Sequence, residues 1–288
     1  MPWVDRCLGS LRQSTIAATT VVVDNGSTDG SIAYIKTHYP EVVVLEQKKN
    51  SGFGQGNNAG IRYALEHGCS HVLLLNQDAW IESDMPEKLL HYADTDSLLS
   101  PVHLNGKGVA LDTNFKNNSV IRGGWQHLLH NDPLLDKTSG RYETREINAA
   151  CWLLPASTIR MIGGFNPLFY HYGEDINYLH RLRYNHIPVY FVTSSYVYHD
   201  RENRKPAEVD YSKVYRELLL IYTNINHNTF TNHLKSVRYL AGLTHRALKS
   251  KKIHILRYYF SALNELRRKK SEITASRNKE KSTGTHWL

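Results

Sequence analysis

Cysteine is scarce: Cys7, Cys69 and Cys151 are the three in the chain, and they lie far apart. An odd, scattered set builds neither a disulfide framework nor a zinc site. No apolar run approaches the ~18–20 residues that a membrane-spanning helix needs. The opening Met1-Pro2-Trp3-Val4-Asp5-Arg6 lacks the basic-then-apolar pattern of a secretory signal, so the expected compartment is the cytoplasm. Internal repeats and low-complexity tracts are also missing. At 41% hydrophobic and 22% charged residues, the composition is that of a chain that buries a core. At ~100–200 residues per domain, the length allows one large domain or one domain with an appendage.

What the chain has in excess is positive charge, +8 overall, and it is unevenly placed. Residues 1–200 hold 16 Lys/Arg against 20 Asp/Glu, whereas residues 201–288 hold 19 against 7. The first part is thus mildly acidic at −4, and the second carries +12. This shift marks a boundary near Arg201–Pro206. It argues against nucleic acid as a partner, because the globular part has no basic surplus to follow a phosphate backbone.

Within 1–200, short β-branched or apolar runs alternate with helical patterns. Thr19–Val23, Val42–Leu45 and His71–Leu75 read as strands, and Asp29–His38 and Asn57–His67 as helices between them. Strands separated by helices of about ten residues imply parallel βαβ units, hence an α/β protein with a mostly parallel central sheet flanked by helices. Residues 100–145 loosen into Gly, Asn, Thr and Asp, read as loops and short strands. Further on, Ile147–Leu154, Val189–Val192 and Tyr196–Tyr198 read as strands, with helices near Ser157–Ile162 and from Gly173 to Tyr184. Ligands of α/β sheets bind outside the carboxyl ends of the strands, and the polar clusters 24–29 and 76–78 fall at such ends.

Three places there carry possible chemistry. Asp78 follows the buried-type run Leu73-Leu74-Leu75; it either caps a turn or offers a carboxylate to Mg²⁺, which takes one or two carboxylates plus substrate phosphates. Glu174-Asp175 opens a helix after Phe165, Phe169, Tyr170 and Tyr172. Such acids complement the helix dipole, and among aromatics they are also desolvated toward a general base's working range. Gly52, Gly54 and Gly56 precede a helix at a spacing that is not the dinucleotide-binding fingerprint but suits close backbone approach to a ligand.

Taken in order, Val21-Val22-Val23-Asp24-Asn25-Gly26-Ser27-Thr28-Asp29-Gly30-Ser31, the Asn50–Ile61 segment, Leu75-Asn76-Gln77-Asp78 and Tyr172-Gly173-Glu174-Asp175 resemble family 2 glycosyltransferases, in the rhamnosyltransferase-like branch of bacterial surface polysaccharide synthesis. The resemblance covers roughly residues 1–200. It implies a GT-A fold and inverting transfer of a sugar, with rhamnose or another deoxyhexose as candidates, from a nucleotide-diphosphate donor to a glycan or lipid-linked acceptor, usually with Mg²⁺ or Mn²⁺. Asp24 would hydrogen-bond the donor's base, Gly52, Gly56 and Asn57 would lie near the nucleotide, and Arg181 would supply a basic group. Asp78 would match the last acid of the D-x-D metal motif, whose first acid is replaced by Asn76. Asp175 would be the general base beside Glu174, and His199 would match a metal-binding histidine or simply a strand-end hydrogen bonder. The Q-x-x-R-W signature of processive synthases is absent, which implies addition of a single sugar.

The chain departs from the family at its start. Met1–Leu8 resembles a first helix already under way, without the central strand that precedes it in the family. The expectation is a truncated reading frame or a decayed gene, and the alternative function is then an inactive remnant or a non-catalytic sugar- or nucleotide-binding protein. Beyond the catalytic part, residues 201–270 read as a basic helical appendage and 271–288 as a polar, disordered tail. Leu256, Tyr259, Phe260, Leu263 and Leu266 form an apolar stripe flanked by Lys251-Lys252 and Arg267–Lys270. That stripe either packs on the catalytic domain or places 251–270 on an anionic membrane surface, with the enzyme then peripheral on the inner face of the plasma membrane.

Overall fold

The structure is a computed structural model that describes residues 3–94, 96–130, 134–135, 140–201 and 212–288. The chain runs α1 (Val4–Arg12), β1 (Val21–Asp24), α2 (Ser31–His38), β2 (Val43–Glu46), α3 (Phe53–Glu66), β3 (His71–Leu75), β4 (Ala79–Ile81), α4 (Met85–His91) and β5 (Leu98–Asn105). Then come β6 (Arg141–Glu143), β7 (Cys151–Pro155), α5 (Ala156–Ile162), α6 (Glu174–Tyr184) and β8 (Val189–His199). Four helices close the chain: α7 (Ser212–Thr223), α8 (Thr229–Lys249), α9 (Leu256–Arg268) and α10 (Lys270–Glu280).

The α/β class holds, but the sheet is mixed rather than mostly parallel. The main sheet has the order β3-β7-β5-β8-β4, with β6 also on β8, and among the described residues its one parallel pairing is β5 with β8. β7 enters antiparallel between β3 and β5, and the short β4 and β6 run antiparallel to β8. β3 and β4 are joined by a tight turn without a crossover helix, and strands joined in that way need not be parallel. β1 and β2 pair in parallel as a separate two-stranded sheet, so among the described residues β1 and β3 each keep one edge unpaired. Helix α3 packs on both sides of the break, against β1 and against β3.

Two local differences from the sequence reading have physical reasons. β5 lies in the core of what reads as loose sequence; Pro101, which lacks a ladder donor, sits where the β5–β8 register shifts, so its missing N–H costs no ladder bond. β8 is one long strand rather than two, because Thr193–Ser195 form the excess residues of that irregularity. They are held by Thr193 N–H on the Gly140 carbonyl (3.0 Å) and Ser195 Oγ on that of Met85 (3.3 Å).

The core beneath the sheet centres on Trp152, Phe165 and Tyr178, all buried and in mutual ring contact. Asn58 ties α3 to it: its amide donates to the Phe165 carbonyl (2.9 Å) and accepts from the Phe165 N–H (2.6 Å).

The C-terminal part also differs from expectation. Residues 270–280 form helix α10 instead of a disordered tail, with Ile273, Arg277 and Glu280 buried. Polar side chains order it: Glu280 Oε1 accepts from Asn166 (2.6 Å) and Asn177 (2.8 Å). Beyond the helix, Gly284 N–H bonds the Met161 carbonyl and Gly164 N–H bonds that of His286, both at 2.8 Å. The apolar stripe of α9 is taken up too, since Tyr259, Ala262 and Leu266 are buried against Val214, Leu218 and Leu219 of α7. Leu256 and Leu263 are partly buried in the same cluster, and Phe260 of the stripe remains exposed. The expected boundary at Arg201–Pro206 lies, past Arg201, outside the described residues.

Candidate active site

β3 and β8 run in the same direction in the main sheet, so their carboxyl ends open on one side. After β3 the chain turns tightly through Asn76–Ala79: Asn76 N–H bonds the Ala150 carbonyl (2.9 Å), and Ala79 N–H bonds that of Asn76 (3.1 Å). This turn presents Asp78, whose backbone carbonyl is pinned by the Asp200 N–H at 3.0 Å. Behind it lies α1, where buried Cys7 contacts the Asn76 carbonyl through Sγ (3.8 Å). Burial and the charge of Asp78 push the Cys7 thiol up to about 12, which keeps it a neutral packing residue.

His199 ends β8 and meets Asp78 directly, with Nε2 3.3 Å from Asp78 Oδ1 and both side chains buried. Its other nitrogen, Nδ1, accepts from Arg201 Nε at 3.2 Å. Arg201 Nε also lies 3.7 Å from Asp112 Oδ2, which is itself 4.0 Å from His199 Nδ1. Asp112 is held by its other oxygen, which accepts from the N–H groups of Asn114 (2.9 Å) and Phe115 (3.0 Å).

Glu174 and Asp175 open α6 at its dipole-positive end. Burial, and next the charge of Asp175, push Glu174 up to about 7; its Oε2 is buried without a hydrogen-bond partner. Burial also raises Asp175, against the lowering effect of the Ile176, Asp175 and Ala149 amides and of the Arg201 charge. The Ile176 N–H donates to Asp175 Oδ1 at 2.8 Å. Arg201 thus bonds His199, and its charge also acts on Asp175.

The glycine-rich segment is not a loop: Phe53–Glu66 is helical throughout. Gly52, at φ +88°, has no room for a side chain because a Cβ would stand 2.0 Å from the Tyr170 carbonyl oxygen. A Cβ on Gly56 would meet Asn25 Nδ2 at 2.9 Å, and Asn25 donates to the Gly52 carbonyl (3.2 Å). The glycines therefore draw the start of α3 against the 24–27 turn and the aromatic segment before α6. Asn57 turns back on its own helix, donating to the Phe53 carbonyl (3.0 Å).

Of the expected site residues, Asp78 meets His199, while Glu174 and Asp175 stand together at the head of α6. Asp24 closes its own turn, accepting the N–H groups of Gly26 (3.1 Å) and Ser27 (3.1 and 3.2 Å). Arg181 is fully buried, donates to the carbonyls of Ile162 (2.7 Å) and Gly164 (2.6 Å), and faces the rings of Tyr178 and Trp287; these contacts tie α6 to the Ile162–Gly164 segment. Asp112 and Arg201 were not expected. Arg201 stood two residues after His199 in His199-Asp200-Arg201, a visible cluster, whereas Asp112 lies in the patternless stretch after residue 105.

The divalent cation that the resemblance implies finds part of a site. Asp78 and His199 converge at a spacing that one cation could bridge, and Nε2 has no hydrogen-bond partner. Among the described residues, however, no group of three His, Cys, Asp or Glu converges, so the remaining positions fall to water and substrate phosphates, as Mg²⁺ sites allow.

Comparison with known proteins bears on the family and the fold. The family model described as Glycosyl transferase family 2 matches residues 2–152. A low-salt glycan biosynthesis hexosyltransferase of Haloferax volcanii is 28% identical over 179 residues, 60% of this chain and 55% of that protein. An N-acetylglucosaminyl-diphospho-decaprenol L-rhamnosyltransferase of Mycobacterium tuberculosis is 26% identical over 233 residues, 72% of this chain and 75% of that one. The chain thus spans little more than half of the first relative and three quarters of the second. Among solved structures, Staphylococcus aureus TarS in complex with UDP-GlcNAc superposes with a TM-score of 0.53 at 16% identity, covering 83% of this chain and 68% of that chain. GalNAc-T7 with UDP, GalNAc and Mn²⁺ gives 0.55 at 13%, covering 77% and 45%. These likenesses establish the GT-A fold. With more than half its length matched by the family model, the chain belongs to glycosyl transferase family 2.

Proposed function

We propose that the chain is the catalytic part of an inverting glycosyltransferase that moves one sugar from a nucleoside-diphosphate donor to a glycan or lipid-linked acceptor. The observation that carries this reading is the pair Glu174-Asp175, desolvated at the head of α6, together with the Asp78–His199 pair at the ends of β3 and β8. Asp175 takes the proton from the acceptor hydroxyl while that oxygen attacks the anomeric carbon; its raised pKa brings a carboxylate nearer the basicity this step needs. Glu174, held partly protonated near neutral pH, keeps the two acids from repelling each other and leaves Asp175 to ionise. Attack opposite the departing diphosphate inverts the anomeric configuration. The donor's base lies over the turn that Asp24 closes, beside the start of α3. A divalent cation, held by Asp78 and His199, supplies positive charge to the leaving diphosphate when bound.

The name of the mycobacterial relative supports an L-rhamnosyl or other deoxyhexosyl donor and a polyprenyl-diphosphate-linked acceptor. The test is a donor panel: purified protein with thymidine- and uridine-diphosphate sugars and a short polyprenyl-diphosphate-sugar acceptor, with the product's anomeric configuration read by NMR. Transfer of a deoxyhexose with inversion is the expected result. Retention of configuration would exclude Asp175 as a simple base, and absence of turnover with every donor would return the protein to the non-catalytic reading.

A further inference from the structure

Helix α8 has two apolar faces, and the fold uses one of them. Tyr239, Leu240 and Leu243 pack into the cluster shared with α7 and α9, and Asn232, Ser236 and Ala247 are buried on the same side. On the other side Phe230, Leu234, Val237 and Leu248 are 75%, 60%, 50% and 54% exposed, with Ala241 exposed between them. At about 100° per residue these five positions fall within an arc of about 60°, and at ~1.5 Å per residue the stripe is about 27 Å long. Single exposed apolar residues are ordinary, but an ordered line of them along one helix is a contact surface.

Its setting names the partner. Arg238, His245 and Lys249 run along one flank of the stripe, and Lys251 and Lys252 follow the helix end. Between Glu217 and Glu265 the chain has seven Lys/Arg and no Asp or Glu. A second copy docked on this face would set cations against cations. Single-stranded nucleic acid would want aromatic platforms, whereas the middle of this stripe is leucine, valine and alanine. An aliphatic line edged by charge of one sign matches the interface of an anionic bilayer. No described helix is long and apolar enough to cross a membrane, which leaves an in-plane contact.

We propose that α8 lies flat on an anionic lipid surface, with Phe230, Leu234 and Val237 in the headgroup–acyl boundary and the flanking cations among lipid phosphates. The sequence had pointed to the stripe of α9; the structure buries most of that stripe and exposes this one. The proposal is independent of the catalytic reading, since vesicle binding is measured without turnover.

Flotation of the full chain with phosphatidylcholine vesicles, with and without phosphatidylglycerol, tests it. The protein should float with the anionic vesicles only, and less at high salt. Arg238→Gln and Lys249→Gln should each weaken partitioning about fivefold, and Leu234→Ser with Val237→Ser about tenfold or more, with unchanged melting by circular dichroism. Phe230→Trp should shift the emission of its new indole to the blue on anionic vesicles. Failure of the parent protein to float, flotation unaffected by the serine pair, or unshifted emission from the Phe230→Trp protein each overturns the proposal. So does a concentration-dependent dimer that the serine pair abolishes. If the serine pair does not fold, the emission of the Phe230→Trp protein decides alone.

Discussion

The head and the inner flank of helix α6 put buried charge to opposite uses. At the head, Glu174 and Asp175 stand side by side, and the charge of Asp175 adds to burial in raising Glu174. On the inner flank, Arg181 donates to two backbone carbonyls and Asn177 to Glu280 of α10, where burial likewise raises the glutamate but Arg181 and two amides oppose it. Both sets are out of water. A buried charge matched by fixed partners holds elements together, whereas one set beside a like charge keeps a perturbed proton affinity that chemistry can use. The lesson is that burial and charge do not mark a site; the partners do.

Replacing the head should damage chemistry alone, and this is the largest effect expected. Asp175→Asn keeps the shape and the Ile176 contact but removes the base, so transfer should fall about 10³-fold, within the usual range for general base catalysis. Donor affinity, measured by calorimetry, and the urea midpoint should stay close to the parent's. Turnover within tenfold of the parent would remove Asp175 from the role.

Replacing the flank should do the reverse. Arg181→Ala strips two buried carbonyls of their donor and leaves Glu280 facing no arginine from α6, a loss of about 3–5 kcal/mol by analogy with broken buried pairs. Urea unfolding reads it. Activity per folded molecule should remain within about twofold, and a large fall in kcat with unchanged stability would place Arg181 in the site after all.

This contrast explains what was legible in the sequence. Glu174-Asp175 could be found because helix-opening acids after an aromatic run have a local signature, and Asp78 because it ends an apolar strand. The structural partners of Arg181 were not legible because a sequence position on a helix does not say which way the side chain faces; the packing of Trp287 and the Ile162–Gly164 segment decides it. The tail looked disordered because its polar residues have no apolar periodicity, yet Glu280 and Arg277 order it through partners more than fifty residues away, Asn177 and the Tyr222 carbonyl (3.2 Å). Asp112 was invisible for the same reason, since its relation to His199 is made by the fold alone. The mixed sheet was missed because β7 returns antiparallel without any local mark.

Glu174 sharpens the contrast through pH. Its native pKa is raised from the ordinary 4.5 to about 7, so between those values the native state holds a proton that the unfolded chain releases. Stability contributed by this residue is therefore full below the unfolded value, declines as pH rises through the window, and is lost above about 7. The upper bound is about 3 kcal/mol. Glu174→Gln, which cannot ionise, should gain stability on the parent as pH rises from 4.5 to 7.5, and equal urea midpoints at both pH values would show that the head is not desolvated as described.

Asp24 is the case on which the distinction can break. Its resemblance-based role is at the head, as a ligand for the donor's base, but its partners are of the flank kind, the amides of Gly26 and Ser27. If the turn is its main work, Asp24→Ala should lose about 1–2 kcal/mol. Asp24→Asn, which still accepts through Oδ1, should recover most of that loss. Donor affinity should then follow stability, near normal in Asp24→Asn. If instead Asp24→Asn folds as the parent does but binds the donor tenfold more weakly, the carboxylate's charge acts on the ligand. A buried acid with complete local partners would then still belong to the site, because a carboxylate has lone pairs beyond the two that its turn occupies.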